Sequence, residues 1–180
     1  IQVMAALATG GAVVCSQYNG RKDIRDARFA AGQLETVLLV FSFAAAIVCI
    51  VGGRGMLGAI FGRVEENVMD SALVYMIVTA VSYPFLGIYN AGAAIFRSSG
   101  NSKISMKLSV LMNGINIGLN ALFVFQFGMG VLGVALATLI SRFVTGIIMT
   151  VCVVRPYNPL QVKHISALVP DRKMILRILR

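Results

Sequence analysis

The feature that most constrains this chain is the length of its uncharged stretches. No residue from Ser71 to Phe96 carries a charge, and none from Leu108 to Ser141 does. A soluble helix needs a polar face every turn. A stretch of about 18 or more apolar residues is instead what it takes to cross the hydrocarbon of a bilayer. Charged residues are 13% of the chain and the mean hydropathy is +0.84, well below the charge content of about 25% usual for soluble domains. The pattern predicts an all-α, polytopic transmembrane helix bundle.

Five spans are expected. The first is the end of a helix, from about Ile1 to Tyr18, already apolar at a start that looks internal to a longer protein. The second covers Ala30 to Gly52, and a mixed segment with an amphipathic interfacial helix follows it to Asp70. The third runs from Ser71 to Ile95 and carries Pro84, which removes a helical hydrogen bond and predicts a kink. The fourth and fifth, Leu108 to Phe127 and Val131 to Val154, form a hairpin about Gly128, Met129 and Gly130. Residues 1–154 are thus expected as a transmembrane unit, and 155–180 as a basic linker ending in an amphipathic lead-in to another span.

The net charge of +9 would suit nucleic acid. Here, however, the basic residues sit in short loops between spans, where membrane topology places them. Thirteen Lys and Arg fall on one side, in Arg21 to Arg28, Arg97 to Lys107 and the tail; Arg54 and Arg63 fall on the other. The positive-inside rule makes the first side cytoplasmic, in a plasma membrane, and nucleic acid is not an expected partner. Cys15, Cys49 and Cys152 lie in or beside apolar runs and read as packing residues rather than a disulfide or metal set. Two GxGxxG matches, at Gly53 and Gly128, follow no strand and do not announce a nucleotide site. The single histidine, His164, lies in the basic tail. No carboxylate pair, metal cluster or nucleophile–base pair appears in the spans, so an enzyme is not expected. Glu35, beside the start of the second span, reads as a solvated end rather than a proton site.

Polar groups inside spans are costly and therefore informative. Ser109, Asn113, Asn116 and Asn120 share one face of the fourth span. A single asparagine would be interhelical glue at about 1 kcal/mol; three on one stripe favour a substrate or ion cavity. Thr138, Ser141, Arg142 and Thr145 cluster on the fifth span. Arg142 lies too deep to snorkel, about 20 Å from Arg155 along a helix. It is expected either to face a watery cleft or to pair with a helix C-terminus or a carboxylate. Tyr75, Thr79, Ser82 and Tyr89 share a face of the third span, with Asn90 at its margin. Three polar stripes predict a hydrated chamber and hence a channel or transporter. Gly114 with Gly118, and Gly133 with Ala137, have the spacing of close helix contacts.

Four segments, in order along nearly the whole chain, resemble the multidrug and toxic compound extrusion (MATE) transporters. They are Gly11 to Asp23 ending in Ala30 to Gln33, Phe96 to Lys103, Asn113 through Asn120, and Gly133 to Arg142. The resemblance implies about five spans of a twelve-helix, two-lobe protein: most of the N-terminal lobe, from late helix 2 to the linker between helices 6 and 7, partnered by the remaining half of the same transporter. It implies a secondary antiporter that expels organic cations against proton or sodium entry by alternating access, with no cofactor beyond the coupling ion. By motif, Asn116 and Asn120 match a cavity pair on helix 5, Thr138 a cavity residue on helix 6 and Tyr75 an aromatic on helix 4. Many members have Asp where this chain has Asn120, which puts direct proton carriage there in doubt. A lipid-linked oligosaccharide flippase of related architecture is the alternative. Only Arg142 among the basic residues lies mid-span, which counts against it. A membrane-embedded enzyme and a purely structural subunit fit the polar stripes less well.

Overall fold

The computed structural model describes residues 2–62, 65–155 and 160. Six α-helices follow one another in it: α1 (Gln2–Gly20), α2 (Ile24–Phe61), α3 (Glu66–Val81), α4 (Tyr83–Ser98), α5 (Ser102–Ala121) and α6 (Gly130–Val154). A π-helical turn, Leu122–Gln126, prolongs α5. No strand occurs among the described residues.

α2, the combined α5 and π-turn, and α6 are each long and apolar enough to cross a membrane. α3 and α4 together form a fourth candidate, bent by 45°. The bend falls where Pro84 was expected to put it. α1, with Ser16, Gln17 and Asn19 in its last turns, is not among these by composition. The second span differs from expectation: α2 is one continuous helix of 38 residues. It absorbs most of the expected loop before Ala30 and the expected interfacial helix after Gly52. Asp23 starts it by accepting the amide N–H of Asp26 through a side-chain oxygen at 3.2 Å, which satisfies one of the helix's orphan donors. Gly62, at φ 69°, ends it.

Two turns close one end of the bundle. Gly100 adopts φ 82°, and the Asn101 amide reaches back to the Phe96 carbonyl at 2.9 Å. The Asn19 side chain then donates to the Ser98 carbonyl at 3.3 Å. This ties the α1–α2 turn to the α4–α5 turn and gathers Arg21, Lys22, Arg25, Arg97 and Lys103 at one end. The opposite end carries Arg54 and Glu66, 3.9 Å apart and both exposed, a surface pair of small energetic weight.

The core lies toward the basic end, where α1, α2, α4 and the second half of α6 meet around Met4, Leu34, Leu38, Phe96 and Met149. Leu160 is fully buried against it, so part of the expected linker packs on the bundle. The other tail residues, His164 and the amphipathic lead-in included, lie outside the described residues. Small residues allow the close approach of helices. A Cβ at Gly87 would stand 2.7 Å from the Ser42 hydroxyl and 3.0 Å from the Leu38 carbonyl, and one at Gly92 would meet Met149 and Val153. Gly133 packs on Phe123 as expected, whereas Gly114 and Gly118 meet nothing, because the outer face of α5 has no neighbour among the described residues. Cys15 is buried, Cys49 and Cys152 are half-buried, and all three are free thiols. The outer surface is apolar: Val40, Val51, Val110, Ile117 and Ile147 are exposed, as a hydrocarbon solvent permits.

Candidate functional site

The antiparallel hairpin of α5 and α6 brings the asparagine stripe against α6. Asn120 donates through Nδ2 to Asn116 Oδ1 at 2.9 Å. Asn116 donates to the Thr138 hydroxyl at 3.3 Å, and that hydroxyl donates to the Val134 carbonyl at 3.0 Å. The result is a ladder that crosses between helices and is anchored to the α6 backbone. Asn116 thus bonds across the two helices. Asn120 is different: its Oδ1 is buried and accepts no hydrogen bond. An unsatisfied buried acceptor costs about 1–3 kcal/mol, so this oxygen is poised to receive a donor or a cation. Asn113 is exposed and bonds only to the Ser109 carbonyl of its own helix, at 2.9 Å.

Arg142 does something else. Its guanidinium donates to the Ser82 hydroxyl at 2.7 Å, and Ser82 in turn donates to the Thr79 carbonyl. Ser82 is the joint between α3 and α4. Pro84 lacks an N–H, so the last turn of α3 needs other donors. The Ser82 hydroxyl supplies one, and Arg142 brings a positive charge to the negative end of the α3 dipole. Arg142 thus stands at the C-terminal end of α3, and no carboxylate pairs with it among the described residues. Phe143, the next residue, meets Phe85 edge-on at 4.9 Å, bracing α6 on α4 below the joint.

A cavity of about 480 Å³ opens between α2, α3 and the start of α6, toward the Arg54–Glu66 end. Leu57, Phe61, Met76 and Val131 give it apolar walls, and Tyr75, Thr79 and Tyr83 complete its lining. The Thr79 hydroxyl is buried without a partner.

The expected site residues therefore divide into groups. Asn116, Asn120 and Thr138 form the ladder. Tyr75 lines the cavity, and Arg142 sits behind it at the helix joint. Ser141 and Thr145 are buried, and their hydroxyls bond to carbonyls of α6 itself. Asn90 is half-buried on α4 and belongs to neither group. The continuous face expected for the third span is split by the bend, since Tyr89 turns away and donates to the Ser105 carbonyl of α5. Tyr83 was missed by sequence reasoning. Pro84 is the signal that could have found it, because a helix restarting there changes which residues share a face. No group of three metal-binding side chains occurs among the described residues.

The family model described as MatE matches residues 1–122. The chain belongs to the MatE family. Among MatE relatives, the probable multidrug resistance protein YoeA of Bacillus subtilis is 25% identical over all of this chain and 40% of its own length. Protein DETOXIFICATION 43 of Arabidopsis thaliana is 27% identical over 67% of this chain and 23% of its own. Solved structures of a multidrug resistance MATE family transporter superpose over 98% of the chain. The inward-facing one gives a TM-score of 0.89 at 24% identity over 40% of its length, and the outward-facing one 0.88 at 23% over 39%. The chain thus spans 40% or less of these relatives. It is a multi-pass membrane protein with the fold of this part of a MatE transporter.

Proposed function

We propose that this chain builds one substrate-facing lobe of a secondary antiporter that exports organic cations by alternating access, driven by proton or sodium entry. The observation that carries the reading is the Asn120–Asn116–Thr138 ladder, a polar track with an open acceptor at its end inside a MatE-family helix bundle. A flat organic cation would find aromatic faces at Tyr75 and Tyr83 in the cavity, and the ladder offers a separate open acceptor at Asn120. Cation–π contacts of this kind contribute about 0.5–2 kcal/mol each. The basic end would face the cytoplasm of a plasma membrane.

The test is ethidium efflux from pump-deficient bacteria expressing the full open reading frame that encodes this chain, with and without an uncoupler and with sodium varied. Gradient-dependent efflux that falls in Asn120→Ala is the expected result. No efflux from well-inserted protein, or efflux indifferent to both gradients, would overturn the reading. Transfer of a lipid-linked oligosaccharide instead would establish the flippase alternative.

A further inference from the structure

We propose that Glu35 is a proton-binding site of this lobe, loaded and unloaded at the basic end of the bundle. Other described acids, Asp23, Asp26, Glu65, Glu66 and Asp70, sit at helix ends or turns. Glu35 lies eleven residues inside α2, about 16 Å from Ile24 along the axis, where the uncharged run of that helix begins. Its position in the helical repeat is the inward one. Glu35, Ser42, Ala46 and Gly53 are separated by seven, four and seven residues, which places them on one face of α2, and Ser42, Ala46 and Gly53 are all buried.

Glu35 itself is half-buried and takes part in no ion pair or hydrogen bond among the described residues. The helices packed on α2 are α1, α3 and α4. α1 offers Cys15 and Tyr18, and α4 offers Tyr83, Tyr89 and, in its last turn, Arg97. α3 offers Glu66, Asp70 and Tyr75 beside the other half of α2. On α2 itself Arg28 shares the face of Glu35 two turns away, about 10 Å, but is engaged elsewhere. Among the described residues no cation pairs with the carboxylate. Running antiparallel to α2, and with Gly87 set against Leu38 and Ser42, α4 places Asn90 and Ala94 near the level of Glu35. One amide and one carboxylate are too few oxygens to replace the hydration shell of a sodium ion. A proton needs only the carboxylate. An acidic side chain held on the inner face of a transmembrane helix without a counter-ion is the chemistry of a proton relay.

The coupling role rests on the antiporter reading; the protonation does not. The experiment is pH-difference infrared spectroscopy on the purified full-length protein, with ethidium efflux from proteoliposomes measured alongside. A protonated-carboxyl band should appear on acidification and be absent in Glu35→Gln, and the response of efflux to an inward proton gradient should be lost in the same variant. If Glu35→Gln does not fold, the band should shift in Glu35→Asp. A band unchanged by either substitution would overturn the proposal. If no ethidium moves in any protein while the band still follows Glu35, the antiporter reading fails and the proton site stands.

Discussion

At the residue scale, two asparagines four positions apart do different work, and stability and transport should separate them. Asn116 carries an interhelical bond to Thr138. Asn116→Ala and Thr138→Val are each expected to cost about 1 kcal/mol, and the double variant about as much as one alone. A thermal-shift series on the detergent-solubilised full-length protein measures this, and additive losses would mean that the bond is not made. In Asn120→Ala the lost donor to Asn116 is offset by removal of the unsatisfied acceptor, so the melting midpoint should stay nearly unchanged while ethidium efflux falls. Arg142 and Ser82 are coupled in the same sense. In a double-mutant cycle with Arg142→Met and Ser82→Ala, the interaction energy is expected at about 1–2 kcal/mol, because one partner is charged. The sequence exposes all five residues as polar groups in apolar spans. It does not say which pairs meet, since a helical repeat assigns a face but not the neighbour across from it.

At the scale of elements, the bend between α3 and α4 is held by a missing donor at Pro84 and a supplied one at Ser82. Each arm has 16 residues, about 24 Å. Restoring the N–H with Pro84→Ala should let the pair straighten. Spin labels at positions 68 and 97, both exposed, would then move apart by about 3 Å; an unchanged distance would show that the Arg142–Ser82 contact alone sets the angle. Packing glycines make a second contrast. Gly92 leaves no room beside Met149 and Val153, whereas Gly118 faces open space. Gly92→Leu should destabilise by about 1–3 kcal/mol or more through overpacking, and Gly118→Leu should not, as judged by monodisperse yield in size-exclusion chromatography. Sequence spacing flagged Gly118 and passed over Gly92, because small-residue spacing marks where helices can approach and not where they do.

At the scale of the whole molecule, the turns tied by Asn19 and Ser98 gather the basic loops at one end, which fits the orientation expected from charge. A cysteine introduced at Lys103 should react with an impermeant maleimide only after the cells are opened, and one at Glu66 should react from outside; the reverse pattern would invert the topology.

Hydropathy and charge, read along the chain, determined the membrane location, the all-α class, the Pro84 break, the α5–α6 hairpin and the polar stripes. These follow from local physics: hydrocarbon excludes charge, and proline removes a donor wherever it stands. Only the tertiary structure decided that α2 runs unbroken past its polar ends, that Arg142 serves a helix joint, that Tyr89 turns into the core and that Glu35 lies on an inward face. Each of these depends on which helix lies opposite and at what level, a relation between residues far apart in sequence that no local periodicity encodes.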